Sequence, residues 1–88
     1  MGDLNGAEGY YRKGIALSEW LIKNTGTVEA YDDMARLYCA YAGIREPYDR
    51  SLLEKALEIY TYLAEKCPHI VEYSENSDLI RQMLELMD

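Results

Sequence analysis

Residues 51–68, SLLEKALEIYTYLAEKCP, carry the clearest structural signal in the chain. Apolar side chains recur there every three or four residues, which is the period of an α-helix with one buried face. Ser51 and Glu54 form a capping-box pattern, in which the hydroxyl and the carboxylate each accept a hydrogen bond from an unpaired amide at the helix start. Pro68 ends the pattern because the residue before a proline is pushed out of helical geometry. The sequence therefore predicts a helix over residues 51–66 with the buried stripe Leu53, Ala56, Leu57, Tyr60, Leu63 and Ala64.

The same helical period runs through the rest of the 88-residue chain, and no segment shows the sustained two-residue alternation of a strand. We therefore expect an all-α fold, in which antiparallel helical hairpins stack within one domain over residues 1–88 and the last helix caps the end. The three further helices are predicted over residues 5–23, 28–43 and 71–87.

Capping residues set the predicted helix ends. Thr27 is the expected N-cap of the second helix, and Gly43 is a good terminator for it. The start of the fourth helix is open between a position near Val71 and a later cap at Asn76 or Ser77. The first helix contains interior glycines, which weaken a helix by roughly 1 kcal/mol each, so we expect close packing against a neighbour to explain them.

Composition excludes several classes of function. Sixteen acidic and nine basic residues give a net charge of −7, which repels nucleic-acid backbones and anionic membrane surfaces. No stretch reaches the roughly 20 apolar residues of a membrane-spanning helix, so we expect no membrane partner and a cytoplasmic location. Nine Tyr and no Phe mean that the rings filling the core carry hydroxyls, which places them at helix seams and groove edges.

Residue types that carry catalytic or metal chemistry are sparse. Cys39 and Cys67 are isolated and favour buried small apolar roles over a disulfide or a metal site. His69 lies near Cys67 and Glu72, but the paired cysteines typical of a structural zinc site are absent from the sequence. No nucleophile elbow, phosphate loop or dinucleotide-binding turn occurs. We therefore expect no enzyme activity, no cofactor and no metal.

The spacing of small and large residues resembles the tetratricopeptide repeat, a pair of antiparallel helices that stacks with its neighbours. Twelve residues separate the small Ala56 from Pro68, as in the second helix and closing proline of that repeat. The resembling positions, over roughly residues 2–68, are Gly2, Asp3, Leu4, Ala7, Tyr11 and Gly14, then Tyr31, Met34, Ala35 and Tyr38, then Ala56, Tyr60, Leu63 and Pro68. This is about one and a half repeats.

The resemblance implies a groove lined by the outward positions of each repeat's first helix, and a protein or peptide partner that binds there. Tyr41 and Tyr48 flank the connector after the second helix and could extend such a surface as aromatic contacts. Arg36 could donate two parallel hydrogen bonds to a carboxylate of the partner. The groove positions that the resemblance implies are Glu29, Asp32, Arg36, Cys39 and Ala40.

Other interpretations stay open at the level of sequence. The first helix is a half-repeat, and its apolar side chains could pair with a second copy to form a homodimer. The chain could equally be part of a longer helical array, an unrelated four-helix bundle, or a small regulatory subunit of an enzyme. The side chains proposed for the homodimer are Leu4, Tyr10, Ile15, Trp20 and Ile22.

Overall fold

The computed structural model describes residues 3–44 and 49–87, and over these residues the protein is all α-helical, as predicted. The four predicted helices are all present, with ends that differ from the predicted ones by at most two residues. Their bounds are α1 Asp3–Asn24, α2 Val28–Gly43, α3 Arg50–Lys66 and α4 Val71–Leu86.

Two helices begin at side-chain caps. Thr27 Oγ1 accepts a hydrogen bond from the Ala30 amide at 3.3 Å, which confirms it as the N-cap of α2. The predicted capping box at Ser51 is wrong, because Asp49 is the N-cap of α3 and its Oδ1 accepts from the Leu52 amide at 3.3 Å. A carboxylate at the end of the connector is as good a cap as a hydroxyl. Ser51 is left one residue inside the helix, exposed to solvent.

The fourth helix starts at the earlier of the two predicted positions. Ile70 is its N-cap residue, with no side-chain hydrogen bond to the first turn. Ser77 is not a cap: it is buried in the middle of α4, and its Oγ accepts a hydrogen bond from Arg81 at 3.3 Å. The predicted end of α3 before Pro68 is confirmed.

The helices form a row in which each packs only against its neighbours in the chain, among the described residues. Adjacent helices are antiparallel. Arg12 in the first half of α1 meets Tyr41 near the end of α2. Arg50 at the start of α3 donates to the Leu84 carbonyl near the end of α4. The radius of gyration is 13.3 Å, against about 12 Å for a compact chain of this length. The row is therefore extended, measuring 42 × 34 × 16 Å.

One core runs through all four helices, but the helices share it unequally. Among the described side chains, α1 contributes a single well-buried apolar residue, Ile15, whereas α2 and α3 supply most of the remainder. The core consists of Ile15, Ala35, Tyr38, Ala42, Leu53, Ala56, Tyr60, Leu63, Tyr73, Ile80 and Leu84.

Some predicted packing is not observed. A Cβ on Gly14 would lie 3.0 Å from Leu37 Cδ1, as expected for a close approach of α1 and α2. At Gly6 and Gly9, such an atom would have no neighbour within 4 Å among the described residues. The three- and four-residue spacing of Leu79, Ile80 and Met83 predicts that all three lie in the buried stripe of α4, but Leu79 is 56% exposed. It lies at the edge of the apolar stripe, and no helix packs on that side of α4 in the part of the chain described.

Candidate groove between α2 and α4

An open groove of about 500 Å³ lies between α2 and α4, with α3 as its floor. It exists because α3 separates its two neighbours in the row, so their facing sides are held apart rather than packed together. Apart from Arg36 and Asn76, its lining side chains are apolar or aromatic. The lining residues are Arg36, Cys39, Ala40 and Gly43 from α2, Leu53 and Tyr60 from α3, and Asn76, Leu79, Ile80 and Met83 from α4.

The α2 wall contains three of the residues that the tetratricopeptide resemblance implies. Arg36, Cys39 and Ala40 follow one another at helical spacing and line the groove. Asp32 stands one turn before Arg36, and its Oδ1 accepts a hydrogen bond from Arg36 Nε at 3.1 Å. This carboxylate raises the pKa of the Arg36 guanidinium above its ordinary value, so Arg36 stays charged. Arg36 is therefore a fixed, exposed cation at one end of the groove.

Cys39 and Tyr60 make the centre of the groove weakly polar. Burial raises the pKa of the Cys39 thiol, which keeps the sulfur protonated and opposes its use as a nucleophile. Burial also raises the pKa of Tyr60 to about 12. Both groups are therefore neutral at physiological pH, and the groove floor offers apolar surface with weak hydrogen-bonding groups.

The α4 wall was not part of the predicted site. The three- and four-residue spacing of its apolar residues predicts the buried stripe of a capping helix, and Ile80 is buried in this way. Leu79 and Met83 instead line the groove, Leu79 in an exposed position. The periodicity indicated that these residues share a face, but only the position of α3 showed that part of this face remains uncovered.

The two groove helices carry most of the negative charge of the chain. α2 has three acidic residues and one basic residue, and α4 has four acidic residues and one basic residue, so their net charges are −2 and −3. α1 and α3 each have three acidic and three basic residues and are neutral. The groove is therefore mostly apolar inside, with Arg36 as the charged residue of its described lining, and it lies between two helices of net negative charge.

The remaining predicted site residues lie elsewhere. Glu29 is exposed at the start of α2, one turn before Asp32 and outside the groove lining. Tyr41 lies between α1 and α2, where its ring stacks on Tyr11 with centroids 5.9 Å apart and its hydroxyl accepts a hydrogen bond from Arg12 Nε at 3.1 Å. Tyr48 falls outside the described residues.

A second groove, of about 490 Å³, lies between α1 and α2. Tyr10 and Leu17 of α1 form one wall, and Asp33 and Leu37 of α2 form the other. Arg36 borders both this groove and the one between α2 and α4. The exposed face of α2 is thus flanked by apolar surface on both sides.

Neither a metal site nor a membrane-spanning helix is found in residues 3–44 and 49–87. No group of three or more His, Cys, Asp or Glu side chains there could hold a metal ion. None of the helices has both the length and the apolar character required to cross a bilayer. Cys39 and Cys67 are both free and half-buried against the core.

Comparison with protein-family models, with curated proteins and with solved structures gave no match to this chain. The resemblance to tetratricopeptide repeats therefore rests on the residue pattern alone.

Proposed function

We propose that this protein is a non-enzymatic interaction module of tetratricopeptide type that binds a short helical or extended segment of another protein in the α2–α4 groove. The observation that carries the proposal is the groove itself, an open apolar channel whose walls are acidic helices. The resemblance to tetratricopeptide repeats supports the same use of the outward face of α2.

The length of the groove suggests how much of a partner it holds. Its lining runs over residues 36–43 of α2 and 76–83 of α4. Seven residue steps of helix span about 10 Å, which equals about two turns of a bound helix. A partner would therefore insert two or three apolar side chains at i, i+3 or i+4, and i+7, the usual spacing for a helix in a groove.

The charge of the walls suggests the flanking chemistry of that partner. α2 and α4 together carry a net charge of −5, so Lys or Arg beside the apolar anchors would gain favourable long-range attraction and faster association. Arg36 is already paired with Asp32, so its positive charge does not make the groove an anion-binding site. The proposed partner is a basic amphipathic segment.

Selection from a phage-displayed random peptide library on the immobilised protein tests this proposal. We expect enriched peptides to combine apolar residues at helical spacing with Lys or Arg. Synthetic versions should bind the wild type in calorimetry and lose at least about tenfold in affinity, or about 1.4 kcal/mol, to Ala40→Arg. That change fills the centre of the groove and repels a basic peptide.

Ser74→Arg is the matched control, because Ser74 is exposed on α4 outside the groove lining. It makes the same change in charge and should leave peptide affinity unaltered. The proposal fails if the library yields no binding peptide, or if the selected peptides bind Ala40→Arg as tightly as the wild type. Selection of acidic peptides would reject the proposed partner chemistry.

A further inference from the structure

The row of helices leaves one apolar face uncovered at each end, among the described residues. On α1, Tyr10, Leu17 and Trp20 are 69%, 59% and 60% exposed. On α4, Leu79 and Leu86 are 56% and 88% exposed. We define the outer face of α1 as Tyr10, Lys13, Leu17, Trp20 and Asn24, and the outer face of α4 as Val71, Glu75, Leu79, Gln82 and Leu86; every one of these residues is exposed.

We propose that copies of this chain associate head to tail, with the outer face of α1 in one copy packed antiparallel against the outer face of α4 in the next. This interface shares Leu79 with the lining of the α2–α4 groove, but its other residues lie outside that lining. It does not depend on the function proposed for the groove.

The spacing of the apolar residues on the two faces matches. Tyr10 and Leu17 are seven residues apart, and so are Leu79 and Leu86. Seven residues are about two helical turns, so both pairs project from one side of their helix. In an antiparallel arrangement one register places Tyr10 against Leu86 and Leu17 against Leu79 at the same time. Trp20 then lies over the first turns of α4, where its ring can cover Val71.

The charges in this register are complementary. Residues 12–24 of α1 contain Arg12, Lys13, Lys23 and Glu19, a net charge of +2. The opposite segment of α4, residues 72–84, contains three acidic residues and Arg81, a net charge of −2. Attraction between the segments offsets part of the general repulsion between two acidic molecules.

A two-fold pairing of α1 with α1, which the sequence left open, is less favourable. It would place the two positively charged segments, residues 12–24, beside each other. Pairing of α4 with α4 would bring together two helices of net charge −3. Like charges across an interface oppose association, so the unlike pair of faces is the better match.

The antiparallel order of the helices also allows the row to continue from one copy of the chain into the next. Because the row has four helices and each is antiparallel to the next, a translated copy presents its α1 antiparallel to the preceding α4. The alternation therefore continues across the interface without a break. An interface between two different faces does not close after two copies, so association proceeds to higher oligomers unless a ring forms.

The exposed area indicates weak association. Tyr10 and Trp20, which are 69% and 60% exposed, together expose roughly 260 Å² when about 200 Å² is taken for each aromatic side chain, and the smaller Leu17 adds less. A stable interface buries about 800 Å² on each partner. We therefore expect association that becomes visible as the protein concentration rises from micromolar to millimolar.

Sedimentation velocity over that range, at physiological ionic strength, tests the proposal. The weight-average mass of the wild type should rise with concentration beyond that of a dimer. Leu17→Glu removes the α1 contact and Leu79→Glu removes the α4 contact, so each variant alone should stay monomeric. Both residues are more than half exposed, so the variants should remain folded, which circular dichroism and thermal melting would verify.

An equimolar mixture of the two variants gives the decisive result. Leu17→Glu keeps an intact α4 face and Leu79→Glu keeps an intact α1 face, so the mixture should form a one-to-one dimer that does not grow further. Ser74→Glu, which adds one negative charge elsewhere on α4, should associate like the wild type. A wild type that is monomeric at all concentrations overturns the proposal. So does a dimer that Leu17→Glu abolishes and Leu79→Glu leaves intact, which would indicate the α1–α1 pairing.

Discussion

A pair of tyrosine rings makes contact across each seam between adjacent helices. Tyr11 stacks on Tyr41 between α1 and α2, with ring centroids 5.9 Å apart. Tyr31 and Tyr62 meet between α2 and α3 at 5.0 Å, and Tyr60 and Tyr73 meet between α3 and α4 at 6.4 Å. A Tyr ring fills the space between two helices while its hydroxyl remains near water or a polar partner. For these six residues, the predicted placement of Tyr at helix seams is confirmed.

The raised pKa of Tyr60 predicts a loss of stability in alkaline solution. Burial favours the neutral phenol, so the unfolded chain gives up this proton near pH 10 and the folded chain only at about 12. The contribution to stability is fully present below pH 10 and is lost as the pH rises to about 12. Tyr60→Phe should remove about 2 kcal/mol of that decline, as measured by urea unfolding at several pH values.

Burial raises the pKa of Tyr38 and Tyr73 as well, so some alkaline loss of stability should remain in the Tyr60→Phe variant. Tyr10→Phe is the matched control because Tyr10 is 69% exposed. An alkaline decline of equal steepness in both variants would show that the Tyr60 hydroxyl does not contribute to it.

Two glycines of α1 should respond differently to the same substitution. Gly9→Ala should stabilise the protein by about 0.5 to 1 kcal/mol, because alanine is the better helix former and its Cβ would meet no described residue within 4 Å. Gly14→Ala should gain less, since its Cβ would lie 3.0 Å from Leu37 Cδ1 and that side chain must move. Urea unfolding of both variants compares the two free energies. Equal gains would mean that the α1–α2 contact at Gly14 is not tight.

At the scale of the element, the start of α3 depends on a residue outside the predicted capping box. Asp49→Ala should cost about 1 kcal/mol in free energy of unfolding because the Leu52 amide loses its acceptor. Ser51→Ala, at the position that the sequence pattern favoured, should change stability by less than about 0.5 kcal/mol. Thermal and urea unfolding of the pair distinguish the two caps. A larger cost at Ser51 would contradict the observed cap.

The four helices differ in how they are held. α3 packs on both sides and contributes Leu53 and Leu63, the largest side chains that are fully buried. Within the described part of the chain, α1 has one neighbouring helix and contributes only Ile15 to the core. Local opening follows the number of buried apolar contacts. α1 should therefore be the least stable helix and α3 the most stable.

At the scale of the whole molecule, this difference predicts stepwise opening from one end of the row. Amide hydrogen exchange followed by NMR at micromolar concentration, where association is weak, should show faster exchange in α1 than in α3. Ile15→Ala should accelerate exchange in α1 and leave α3 nearly unchanged. Leu63→Ala should instead destabilise the entire row, by about 3 kcal/mol. Uniform exchange in all four helices would show that the row unfolds as a single unit.

Much of the fold could be predicted because its elements are local. The helix bounds could be predicted from residue spacing and from local signals at the helix ends. Thr27 caps the start of α2, and Pro68 ends α3. The apolar stripes followed from the same period, and Leu53 and Leu63 were assigned correctly. The candidate groove could be predicted only in part. Arg36, Cys39 and Ala40 were predicted correctly on the α2 wall. Tyr41 instead packs against α1, and the residues of the α4 wall were not predicted as part of the site.

The sequence alone is enough to predict the four helices, their buried stripes, the placement of Tyr at the seams and the acidic surface. Helical hydrogen bonds join residues four apart, and an apolar stripe records which side of each helix avoids water. Only the tertiary structure decided which sides remain uncovered. Whether Leu79 is buried or forms a groove wall depends on where the other helices lie. That arrangement is set by contacts between residues far apart in the chain, which no local period encodes.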